Sequence, residues 1–150
     1  MKKLLLEAPI LTRSGYGEHA RLVFRSLKNK DGIEIFINPL EWGSTGWISE
    51  DSEERRAIEL CINRFGVLIE QAKQAKQDPV FDYQVHVGIP NEFSKKAARS
   101  ICVTAGIETD RVSSDWLMKT HQGIDKLIVP SNHAKEGFMM TSYEVHNTQT

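Results

Sequence analysis

Short apolar runs and helical patterns alternate along this chain of 150 residues. Near-continuous apolar runs occupy residues 3–7, 33–38, 83–87, 100–104 and 126–129. Runs of that length predict parallel strands covered on both faces. Between them the period changes to that of a helix. Residues 18–27 set Ala20, Val23, Phe24 and Leu27 on one face. Lys28, Lys30 and Gly32 close that helix, with cations at its carboxyl end and a turn glycine. Asp51 is placed to cap a long helix to about residue 77, with Glu54 at the capping-box return position. Its buried stripe is Ile58, Cys61, Phe65, Leu68 and Ala72. Gly66 inside it costs about 1 kcal/mol relative to alanine and marks a place where the helix can kink. Ser113 or Ser114 can cap a short helix over 116–121, stopped by Gly123, and Ser131 can cap a last one over 132–139.

The order is β-α-β-α-β-β-α-β-α. Strands alternating with helices predict an α/β fold: an open, parallel, Rossmann-like sheet with helices on both faces and right-handed crossovers. Ligands of such sheets bind beyond the carboxyl ends of the strands. The one long irregular stretch, 39–50, carries Trp42, Gly43, Gly46 and Trp47, and loops of this length are often functional. Its two tryptophans suit either a sugar acceptor or packing within the loop itself.

Composition narrows the class. The 40% apolar and 26% charged content fit one globular domain with a real core. A net charge of -1 without a basic stripe argues against nucleic acid as the main partner. Cys61 and Cys102 lie inside apolar patterns and make neither a disulfide framework nor a zinc spacing. They read as buried small hydrophobes in a reducing cytoplasm. The opening MKKLLLE has a charged start, but Glu7 and Pro9 break its apolar run well short of a signal peptide. No run reaches the roughly 18 residues of a transmembrane segment.

The stretch Gly15-Tyr16-Gly17-Glu18-His19-Ala20 fits the letters G-x-G-x-x-A. A dinucleotide fingerprint must follow its strand at once, whereas Gly15 comes about eight residues after the first strand ends. The fingerprint also wants an acidic residue at the end of strand two, roughly 20 residues on, where Asn38 and Pro39 stand. A nucleotide-binding oxidoreductase is therefore disfavoured. What remains is a loop leading into a helix N-terminus, whose free N–H groups favour an anion.

Three later segments add to that loop. Asp82 to Phe93 is a strand carrying His86, followed by a Gly/Pro turn. Ile107-Glu108-Thr109-Asp110-Arg111-Val112, then Trp116, follows the next strand. Asp125 to Lys135 is a strand feeding a Ser131-capped helix. In order and spacing the set resembles the N-terminal half of a GT-B glycosyltransferase of the retaining, family-4 type. The likeness lies in a "GYG" loop before helix one, an "E-T-x-R-(V/I/L)-x-x-x-W" segment and a "D-x-(I/L)-(I/V)-V-P-S" turn. No single motif is specific; the ordered set, spanning nearly the whole chain, carries the resemblance.

The resemblance implies two Rossmann-like domains facing a cleft, with the acceptor held mainly by the first and a nucleotide-sugar donor by the second. It implies transfer to an acceptor hydroxyl with retention, and neither cofactor nor metal. Gly15, Tyr16 and Gly17 would then close on the donor phosphates. His86 becomes the candidate catalytic residue, able to bond a sugar hydroxyl or move a proton near neutral pH. Glu108 and Arg111 would line the acceptor side of the cleft, although they can equally pair with each other. Ser131 is a helix cap that points a positive helix end at the cleft. Trp116 reads as core or rim. His19, His121, His133 and His146 have no ligand spacing and are expected on the surface.

Residues 1–145 would form this domain, with 146–150 a polar tail. The family's donor-binding basic pair and glutamate find no matching positions among these residues. The sequence therefore reads as a fragment or one part of a split enzyme, needing a C-terminal domain or a second subunit. The rival reading is a non-catalytic α/β module that binds a sugar or a phosphate.

Overall fold

The computed structural model describes residues 1–41, 46–89, 93–104, 124–129 and 131–140. In chain order they form β1 (Lys2–Ala8), α1 (Gly15–Leu27), β2 (Ile33–Pro39), α2 (Glu53–Ala75), β3 (Phe81–Val87), β4 (Ala97–Val103), β5 (Lys126–Ile128) and α3 (Asn132–Met140). The predicted helix over 116–121 lies outside the described residues. The five strands form one all-parallel sheet in the order β2-β1-β3-β4-β5, a Rossmann-like open sheet flanked by helices.

Strand side chains alternate between the two faces. Leu4, Leu6 and Ala8 of β1 share one face with Ile35, Ile37, Val85, Val87 and Val103. That face is covered by Ala20 and Phe24 of α1, and by Ile58 and Cys61 from the first half of α2. The second face holds Leu5, Phe36 and Phe81 against Phe65 and Leu68 from later in α2. So α2 runs past the outer edge of β2 and packs on both faces. Its Arg64 donates to the Ile35 carbonyl at 3.0 Å and lies 3.6 Å from Glu34. A guanidinium thus occupies a carbonyl on an open sheet edge, one way of blocking edge-to-edge association.

Helix boundaries differ from the sequence expectation in a useful way. Ser14 caps α1, its hydroxyl accepting from the Gly17 N–H at 3.0 Å, so residues 15–17 are the first helical turn and not a loop. Ser52 rather than Asp51 caps α2, accepting from Arg55 N–H at 3.1 Å; its stronger claim is that its hydroxyl meets the N3 amide. The second helix passes through Gly66 unbroken and ends where Lys76 adopts a left-handed φ of 54°. Strand four begins at Ala97, earlier than Ser100, because Phe81 pairs with Ala97 in the ladder.

Two parallel strands joined by 88–96 need a crossover, usually a helix of a dozen residues or more in all. None is described here. Instead residues 93–96 cross the second face as an extended strap, and buried polar side chains hold it down.

Candidate functional site

The strand order reverses between β1 and β3. After β1 the chain steps outward to β2, and after β2 it crosses back to β3. Ligands of open parallel sheets bind beyond the carboxyl ends at such a point. At this place the chain leaves β1, turns through residues 9–14 and enters α1.

Arg21, only 5% exposed, reaches back from α1 to stiffen that turn. It donates to the Ile10 carbonyl at 2.7 Å, the Thr12 carbonyl at 3.0 Å and the Glu18 carboxylate at 2.7 Å. Hydrogen bonding to that guanidinium holds the Glu18 carboxyl below the usual range. Thr12 hydroxyl contacts the Pro9 carbonyl at 2.7 Å and Ser14 hydroxyl at 2.8 Å. Outside, Arg13 N–H donates to the Gly46 carbonyl at 2.9 Å and Ile48 N–H to the Leu11 carbonyl at 2.8 Å, bracketing a bridge between Thr12 and Trp47. The turn is thus built rigidly, not left loose.

The two glycines have different reasons to be there. A Cβ on Gly17 would lie 2.2 Å from the Thr12 carbonyl oxygen and 3.1 Å from that of Pro9. Gly17 lets the helix touch its own entry turn. A Cβ on Gly15 meets nothing within 4 Å, and the residue is exposed. Tyr16 spans the crevice, its hydroxyl 3.3 Å from that of Thr104 just beyond β4. A cavity of about 420 Å³ opens beside the helix start, lined by Arg13, Ser14, Gly15, Glu18, Arg21 and Ile48.

His86 is not in that crevice. Its neighbours Val85 and Val87 pack towards α1, which places His86 on the opposite face, in register with Glu7. It is 2% exposed, roughly perpendicular to the Phe93 ring at 5.8 Å, and neither ring nitrogen has a hydrogen-bond partner of good geometry, although the Ile89 backbone lies near enough to favour the charged ring. Burial pushes its pKa below the ordinary histidine value, against the pull of the Glu7 carboxylate. Ser131 accepts from the Ala134 N–H at 3.1 Å, so it caps α3 as its sequence position predicts. Glu108, Arg111 and Trp116 lie outside the described residues, as does Trp42; Trp47 is half exposed. The structure therefore brings Gly15, Tyr16 and Gly17 to the switch point and does not bring His86 to them.

A second polar cluster escaped the sequence reading. Glu7 is 3% exposed and accepts from Asn38 at 2.9 Å, Gln84 at 2.7 Å and Lys96 at 2.6 Å. Gln84, wholly buried, also donates to the Ser94 carbonyl at 2.9 Å and accepts from the Lys96 N–H at 2.8 Å and the Ser100 hydroxyl at 3.1 Å. The available signal was polar residues at one parity: Asp82, Gln84 and His86 in β3, beside Glu7 near the end of β1. Cys102 pairs with His86 in the ladder, and burial pushes its thiol up to about 12, which makes it a poor nucleophile.

Also on the second face lies an apolar groove of about 590 Å³ between α2 and the strap, with Leu5, Phe65, Phe81 and Ala97 among its walls. Among the described residues, no group of three or more His, Cys, Asp or Glu is placed to hold a metal ion, and no helix is long and apolar enough to cross a membrane. No protein-family model, curated protein or solved structure matches the chain.

Proposed function

We propose that this chain is the acceptor-side Rossmann-like half of a GT-B, retaining-type glycosyltransferase. It would act with a donor-binding domain or subunit on a nucleotide sugar and an acceptor hydroxyl. One observation supports the reading above the others. The first turn of α1, residues 15–17, begins beyond the carboxyl end of β1, at the β1/β3 switch point, with the Gly17 N–H donated to the Ser14 cap. The positive end of a helix favours a phosphate group at such a place. Because Gly15 carries no side chain and has open space around it, a ligand can approach its backbone closely.

In this reading the chain contributes orientation and charge stabilisation. The Arg21-pinned turn keeps the donor groups preorganised, and the Tyr16–Thr104 contact ties the helix start to the end of β4. His86, buried on the opposite face of the sheet, would not touch a substrate held at that turn. Its burial favours the second reading, a sugar- or phosphate-binding module without catalysis of its own.

The test is amide chemical-shift mapping with UDP, UDP-glucose and GDP-mannose, together with a transfer assay on simple glycoside acceptors. Saturable shifts centred on Gly15, Tyr16 and Gly17 with transfer, alone or after adding a donor-binding domain, support the enzyme. The same shifts without transfer under either condition support the binding module. No shift there with any of the three ligands overturns both.

A further inference from the structure

His86 poses the sharpest physical question in the molecule. Buried polar atoms almost always find partners, yet neither of its ring nitrogens has one of good geometry, the Ile89 backbone being close enough only to favour the charged ring. The carboxylate nearest in the β1–β3 register, Glu7, is already occupied by Lys96 Nζ at 2.6 Å. Lys96 ends the strap 93–96. That strap is held to the sheet by Phe93 on the His86 ring, by Ser94 and Lys96 backbone atoms on Gln84, and by Lys96 Nζ on Glu7. The last of these anchors depends on Glu7 having no other cation beside it.

We propose that Glu7 has two alternative cationic partners, Lys96 at neutral pH and protonated His86 in mild acid, and that their exchange releases the 93–96 strap from the sheet. His86 takes one proton from water at a ring nitrogen and pairs with the Glu7 carboxylate. The Lys96 ammonium, whose side chain is already 44% exposed, returns to solvent.

The described charged and titratable groups around His86 are Glu7 from β1, Lys96 from the strap and Cys102 from β4. With its pKa pushed up to about 12, Cys102 stays neutral throughout. Burial and Lys96 lower the His86 pKa while Glu7 and the Ile89 backbone raise it, and the net direction is down from 6.5. The folded pKa is below the unfolded one, so the neutral, strapped form is favoured above pH 6.5 and loses ground as pH falls. Lys95 and Lys96 line the apolar groove, so release widens it along β4.

NMR of the full chain between about pH 7.5 and about pH 5 tests the exchange. The Lys96 amide, bonded to Gln84, reports the strap; Leu5 and Leu6 amides report the sheet. We expect the His86 ring to titrate below the ordinary histidine value of 6.5. At the same midpoint the Glu7 carboxyl signal moves and Lys96 amide protection drops about tenfold or more, while the sheet stays protected. His86→Phe should abolish that pH dependence, and Lys96→Met should leave the strap unprotected at every pH. The idea fails if Lys96 protection is lost equally in His86→Phe, if Glu7 is unmoved while His86 titrates, or if strap and sheet open together. Should His86→Phe not fold, the wild-type coincidence of the His86, Glu7 and Lys96 signals decides alone.

Discussion

Gly15 and Gly17 look alike in the sequence and differ in the structure. Gly17 touches the carbonyls of Thr12 and Pro9, so Gly17→Ala must push the helix off its entry turn. We expect a loss of about 2–3 kcal/mol in urea unfolding, typical of overpacking against backbone. Gly15→Ala meets open space in a helical turn and should be neutral or stabilising by about 0.5 kcal/mol. Equal effects at the two positions would show that the turn is not packed as described. The cysteines provide a second residue-level check. Burial raises the pKa of both Cys61 and Cys102, the latter to about 12. Both thiols should resist a disulfide reagent at pH 8 in the native protein and react on unfolding. A raised acid pKa also means that the unfolded chain loses its protons first. Stability from these groups is thus lost as pH rises above about 9, and urea midpoints should fall there.

At the level of elements, α2 carries two residues that oppose its own geometry. Gly66 sits mid-helix with nothing within 4 Å of an added Cβ, and Lys76 holds a left-handed φ of 54° at the helix end. Gly66→Ala and Lys76→Gly should each stabilise by about 0.5–1 kcal/mol, and their effects should add, because they are separated along the helix. A loss at Gly66 would mean that the glycine is needed by a contact or motion absent from this state. The strands and helices were legible in the sequence because their apolar period is set by local geometry. The caps were less so. Asp51 and Ser52 are both good N-caps, and only the extended backbone at Ser52 with its hydroxyl on the Arg55 amide selects between them. The start of α1 was misjudged because two glycines argue against helix by propensity, while the Ser14 cap and contact with Thr12 outweigh that cost.

At the scale of the whole molecule, the unexpected part is the strap. Sequence showed His86 at a strand end, and strand-end histidines are natural site candidates. It could not show which face that residue occupies, because a one-residue shift in register exchanges the two faces. Nor could it show that Glu7, 77 residues from Gln84, converges with Gln84, Lys96 and Ser100 to hold residues 93–96 against the sheet. Such convergence is a property of topology and not of any local pattern. It also makes a quantitative claim. Lys96→Met leaves the Glu7 carboxylate buried with only the neutral donors of Asn38 and Gln84, at a cost of about 3 kcal/mol. Glu7→Gln removes the charge and keeps an acceptor, at about 1–2 kcal/mol. The double variant has no unpaired buried charge, so it should be more stable than the sum of the two losses predicts, with a coupling of about 1–3 kcal/mol. Urea unfolding of the four proteins measures it. Coupling below about 0.5 kcal/mol would mean that Lys96 is a surface lysine resting near Glu7, and that the strap is held by Gln84 and Phe93 alone.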